Sequence, residues 1–175
     1  MNEGIYSLID TAIKIGLGAI IASLSNYLMT RINHKSDLKK DVFLRRLNSI
    51  EKISEAAEDY FQNWTRYINL LQGISRNTVE KGEIVAQEQW EKLKQRDVSL
   101  IDSRNKKMAA VSRLKLLGLN NISTILEATS DIEKEIRDIT VFKKEMPSYD
   151  FINSTHKKMQ EKRNAFYASL NNHYN

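Results

Sequence analysis

The 175-residue chain has no cysteine, one proline and six glycines. Without cysteine there is neither a disulfide framework nor a thiolate metal site. So few turn formers exclude a many-stranded β sandwich or barrel and favour long helices. No glycine-rich phosphate loop or P-loop sequence occurs, and His34, His156 and His173 are scattered, with no carboxylate at metal spacing on a shared face. Serine, histidine and aspartate are present, yet nothing orders them into a triad. The chain therefore reads as a non-enzyme without a cofactor. What it does have is a 41% hydrophobic share, enough for a packed core, and 27 basic against 22 acidic residues, a net charge of +5. The length suits one core plus a short appendage.

The appendage is N-terminal. Residues 15–30 carry no charge. As a helix this stretch spans about 24 Å, and about 39 Å if extended back to Ile5, against a hydrocarbon core roughly 30 Å thick. Asp10 and Lys14, four apart on one face, can partly neutralise each other near one interface, and Lys14 can snorkel outward. A cleaved signal peptide fits poorly: the start is acidic (Glu3, Asp10), and Tyr27-Leu28-Met29 is a poor cleavage context. A buried core helix is the other alternative. The expected arrangement is a transmembrane helix over residues 1–30. The basic flank Arg31, Lys35, Lys39, Lys40, Arg45 and Arg46 outweighs Asp37 and Asp41. This places the N-terminus outside and residues 31–175 in the cytoplasm, as a single-pass protein of the inner (cell) membrane.

Within this span Ala12, Gly16, Ala19, Ser23, Asn26 and Thr30 recur at spacings of 4 and 3, a stripe of small or polar residues. Ile13, Leu17, Ile20, Leu24 and Leu28 form a bulky stripe that suits lipid. Small residues let helix backbones approach, and Ser or Asn can hydrogen-bond across the contact. Asn26 is costly toward acyl chains unless partnered. A single span has no second helix of its own, so the stripe predicts a homo-oligomer or a contact with another protein. A pore lined by Ser23, Asn26 and Thr30 is the stronger form of this expectation. Chance occurrence of small residues is the weaker one.

From Phe43 onward heptad spacing dominates. Phe43, Leu47, Ile50, Ser54, Ala57, Phe61, Trp64, Ile68 and Leu71, widened by Ile53, Tyr60, Tyr67 and Ile74, predict a first helix over about residues 36–74. Turn signals from Gly73 to Gly82 should stop it. A second helix is expected over 83–117 with Gly118 as C-terminal cap, a third over 121–146, and a fourth over 148–170 after Pro147. Short connections favour an antiparallel four-helix bundle; the alternative joins the last two helices into one, kinked at Pro147. The fold class is thus all-α: an N-terminal transmembrane helix followed by an antiparallel cytoplasmic helical bundle with long helices.

Residues 92–115 hold eight basic residues against Asp97 and Asp102. Attraction to anionic membrane lipid is worth about 1 kcal/mol per basic residue near the surface. The apolar stripe of the second helix (Ala86, Trp90, Leu93, Leu100, Met108, Val111) has Asp97 and Arg104 in its middle and Lys107 at its edge. The fourth helix has His156 and Arg163 among its apolar positions. A buried charge must be paired, solvated or bound. An Asp97–Arg104 pair would settle two of them. A nucleotide or oligonucleotide held by Arg104, Lys107, His156 and Arg163 is the sharper possibility. Tyr60, Trp64 and Tyr67 could stack on bases, but beside Phe61 and Ile68 they read as core.

In layout, one span followed by a wholly helical cytoplasmic part, the chain resembles the small membrane effectors of bacterial antiphage defence, the Hailong-type transmembrane effector in particular. The resemblance covers the whole chain and carries over no residue. It implies a homo-oligomeric membrane protein that permeabilises the membrane under control of a nucleotide signal. The other reading is a non-conducting, membrane-anchored scaffold that docks a partner protein through the wide apolar stripe of its first helix.

Overall fold

A computed structural model describes residues 20–25, 29, 37–78 and 81–174. Every extended element among them is helical. The helices are α1 (Asp37–Asn77), α2 (Gln87–Leu116), α3 (Asn120–Glu127), α4 (Thr129–Arg137), a π-helical turn (Asp138–Phe142) and α5 (Tyr149–Tyr174). The chain divides into two compact units, Met1–Glu51 and Lys52–Asn175.

Residues 20–25 of the first unit are helical. There the hydroxyls of Ser23 and Ser25 donate to the carbonyls of Ile20 (3.3 Å) and Ile21 (2.8 Å). The rest of the expected span, with Ala12, Gly16, Ala19, Asn26 and Thr30 of its small-residue face, lies outside the described residues. Among the described residues no helix is long and apolar enough to cross a membrane.

The second unit is a four-helix bundle, in which α3, α4 and the π-helical turn together form the third rod. Side-chain pairs give the directions. Glu58 meets Arg163, Gln72 meets Asn153 and Ser75 meets the Pro147 carbonyl, so α1 and α5 are antiparallel. Arg137 meets Asp97 and Lys115 meets Glu127, so α2 and the third rod are antiparallel as well. Tyr60 reaches Glu133 and Tyr67 reaches Thr140, so α1 and the third rod run in parallel. This is the up-down order that short connections favour, and the last two helices are separate.

The predicted stripe of α1 is the core. Ile53, Ala57, Tyr60, Trp64, Tyr67, Ile68 and Leu71 are fully buried, which places the three large aromatics inside the bundle. Against them pack Leu100 and Leu114 of α2, Leu126 and Ile136 of the third rod, and Ile152, Met159 and Phe166 of α5. Several expected helix limits move: α2 begins at Gln87 and not near residue 83, and α5 runs on to Tyr174 and not to 170. Ile74 and Ser75 are buried, so α1 continues past Gly73 to Asn77; core contact outweighs glycine's poor helix propensity there. The third rod does not run unbroken from 121 to 146. It is interrupted at Ala128, whose φ −60° and ψ −17° stay helical, and it widens into the π turn before ending at Phe142. The Gly118 cap forms as expected. Gly118 (φ +76°) donates to the Lys115 carbonyl and Leu119 to the Leu114 carbonyl, the paired bonds of a Schellman stop.

Candidate functional site

Two ionic clusters are built into the interior of the bundle. The larger joins α1, α2 and α4. Arg137 donates from Nε and Nη2 to the two carboxylate oxygens of Asp97 (2.6 and 3.0 Å), and both side chains are about nine-tenths buried. Glu133, 1% exposed, accepts from the Tyr60 hydroxyl (3.1 Å) and from Arg104 (3.3 Å), with the Arg137 guanidinium 3.8 Å away. Lys107 is fully buried. Its ammonium donates to the hydroxyls of Thr129 (3.0 Å) and Ser130 (2.9 Å) and lies 4.0 Å from the centre of the Tyr60 ring.

The smaller cluster joins α1 and α5. Glu58, 7% exposed, accepts two bonds from Arg163 (2.9 and 3.0 Å) and one from the Tyr167 hydroxyl (2.8 Å). Elsewhere on α5, His156 has its Nε2 3.5 Å from the amide of Gln160, while its Nδ1 and the indole N–H of Trp64 are buried without a hydrogen-bond partner.

Burial decides the electrostatics. It lowers the Lys107 ammonium to about 8, with Glu133 opposing the shift and Arg104 adding to it. It lowers His156 as well, so the imidazole is favoured in its neutral form. Burial raises Tyr60, Tyr67 and Tyr167, which keeps these phenols protonated hydrogen-bond donors; Glu133 adds to the shift at Tyr60 and Glu58 to that at Tyr167. The bond to Asp97 raises Arg137 further above its ordinary value.

The structure brings Arg104 and Lys107 to the Glu133 cluster and places Arg163 on Glu58, in the other cluster. The three cations and the imidazole expected around one anion thus do not converge. Asp97 pairs with Arg137 of α4, not with Arg104, because residues seven apart point the same way from α2 toward the third rod, each to its own partner. Lys107 lies at the centre of the buried face and not at its edge, while Met108 is 45% exposed. Glu58, Glu133, Arg137 and Tyr167 were absent from the sequence-based expectation. A signal for two of them was present: Thr129, Glu133, Arg137 and Thr140 recur at spacings of 4, 4 and 3 beside Ile132 and Ile136, a polar stripe that an α-helix turns toward one neighbour.

Four of the eight basic residues of 92–115 are paired with carboxylates inside the bundle unit. Lys92 pairs with Glu88, Arg104 with Glu133, Lys106 with Asp59 and Lys115 with Glu127. A cavity of about 240 Å³ opens beside Arg104, where Lys134 and Arg137 are matched by Asp131, Glu133 and Asp138. Three positive and three negative groups give an anion no net attraction there. Chemically, the larger cluster is a register device: its charges are satisfied only when α1, α2 and α4 meet in one alignment. In comparisons with protein-family models, curated proteins and solved structures, the chain matches none.

Proposed function

We propose that the chain is a homo-oligomeric membrane effector, anchored by residues 1–30 with the N-terminus outside, whose cytoplasmic bundle assembles or gates a pore. The observation that carries this reading is the uncharged stretch of residues 15–30 followed by a basic flank. The stripe from Ala12 to Thr30 supplies the association face, with Ser23, Asn26 and Thr30 toward the pore. The bundle supports the reading in one respect: its buried charges have internal partners, so the assembly has to bury only the span. A role in antiphage defence follows from the resemblance in layout. For the anionic, nucleotide-type ligand of that reading, Arg104 is the accessible cation, with about a third of its side chain exposed. Lys107 and Arg163 would have to leave the Thr129 and Ser130 hydroxyls and Glu58.

The test is dye release from anionic phospholipid vesicles containing the purified full chain, together with the mass of the complex in detergent. The reading expects a defined multimer and dye release that Asn26→Leu reduces several-fold. A monomer that releases no dye, with or without added nucleotides, contradicts it.

The second reading, a non-conducting anchored scaffold, keeps the span and dispenses with the pore. The exposed apolar residues Val42 and Leu44 of α1 favour it, since they offer a partner apolar contact. Capture of one stoichiometric partner, lost on Leu44→Glu, together with silent vesicles, would select it.

A further inference from the structure

A second cavity, of about 450 Å³, lies between the first turns of α2 and the π-helical turn. Its size is within the range of small-molecule sites, about 300–1,000 Å³. Leu93 and Val141 give it apolar walls and Trp90 contributes an indole. Lys94 and Lys144 line it as well, both exposed to solvent. Asp97 also borders it, but both of its carboxylate oxygens are taken by Arg137, so its charge is already answered.

Two backbone irregularities bring the chain to this cavity. The π turn replaces the α-helical repeat at Asp138–Phe142, and Lys144 holds φ +55°, the left-handed region in which glycine is unstrained. Lys144 follows the end of this helix as Gly118 follows α2, and the residue after it, Glu145, donates to the Ile139 carbonyl, one residue further back than the Leu119 bond to Leu114. A lysine therefore stands at a cap position where glycine would be more stable. π turns and non-glycine residues at positive φ concentrate at ligand sites.

We propose that this cavity binds a small planar aromatic anion, stacked on Trp90 and neutralised by Lys94 and Lys144. The indole and the apolar walls select a flat ring, and two ammonium groups against the one other carboxylate, Glu91, select negative charge. The site shares no residue with Arg104, Lys107, His156 and Arg163, and its occupancy does not depend on the membrane reading.

The chain has two tryptophans, so the full chain labelled with 15N at the indoles gives two N–H signals, assigned with Trp90→Phe. The buried Trp64 serves as internal reference. The probe is 1-naphthyl phosphate, with inorganic phosphate and 1-naphthol as separate arms. The expected result is a saturable shift of the Trp90 signal with the Trp64 signal unmoved. The double variant Lys94→Ala/Lys144→Gly should weaken that binding at least tenfold; glycine suits the φ of position 144, and an unchanged Trp64 signal confirms that the bundle is intact. Absence of a saturable shift, or a shift indifferent to the two lysines, overturns the proposal. So does equal response to 1-naphthol, which would make the site merely apolar, or to inorganic phosphate, which would make it merely cationic.

Discussion

Lys107 holds an ammonium group in the interior with hydroxyls, and no carboxylate, as its direct partners. Because its folded value is about 8 and an unfolded lysine titrates near 10.4, both states are protonated below pH 8 and the folded state bears the full cost of burial. Between pH 8 and 10 the unfolded chain binds more protons, so stability rises with pH, by about 1–3 kcal/mol in all. Above pH 10 the direction reverses, since the raised Tyr60, Tyr67 and Tyr167 keep protons that the unfolded chain loses. Denaturant melts across this range should show the rise, and Lys107→Met should abolish it while adding about 1 kcal/mol or more at pH 7. The Asp97–Arg137 pair behaves differently. Asp97→Ala leaves the Arg137 guanidinium buried with only Glu133 nearby, at 3.8 Å, and should cost about 3–5 kcal/mol; Asp97→Leu with Arg137→Met should recover most of it. A double-mutant cycle on melting curves measures the coupling, and additive losses would contradict a register role.

At the scale of elements, two glycines make opposite predictions. Gly73 is an exposed residue inside α1 with no atom near the position a methyl would take, so Gly73→Ala should stabilise by about 0.5–1 kcal/mol. Gly118 has equal space but φ +76°, so Gly118→Ala should destabilise by about 1 kcal/mol through backbone strain alone. Urea midpoints of the two variants should move in opposite directions. Heptad periodicity was enough to find the core of α1 and the helical rods, because their buried faces are made of residues whose type reports burial. It ended α1 about three residues early because local turn formers at residues 73–82 say nothing of the bond that buried Ser75 makes to the Pro147 carbonyl. It missed the π turn for a similar reason. The extra residue shifts the facing of Val141 and Phe142, leaving Phe142 72% exposed, and no residue type announces that shift.

For the molecule as a whole, the ionic interior was legible only in part. The sequence shows that Asp97, Arg104, Lys107 and Arg163 interrupt apolar stripes, and burial without partners is too costly to stand. Which acid meets which base depends on how α2, α4 and α1 align, and that is a property of packing that no single helix face encodes. Pairing Arg163 with Glu58, and Asp97 with Arg137, turns most of a supposed ligand surface into structure. The proposed function rests on the hydropathy and flanking charge of the first thirty residues. The direct measurement is alkaline carbonate extraction of membranes from cells expressing the full chain. Integration through residues 1–30 predicts that the protein stays in the membrane pellet at pH 11 and that replacing Leu17 and Ile21 by arginine releases it. Recovery of the unaltered protein in the supernatant would contradict the account.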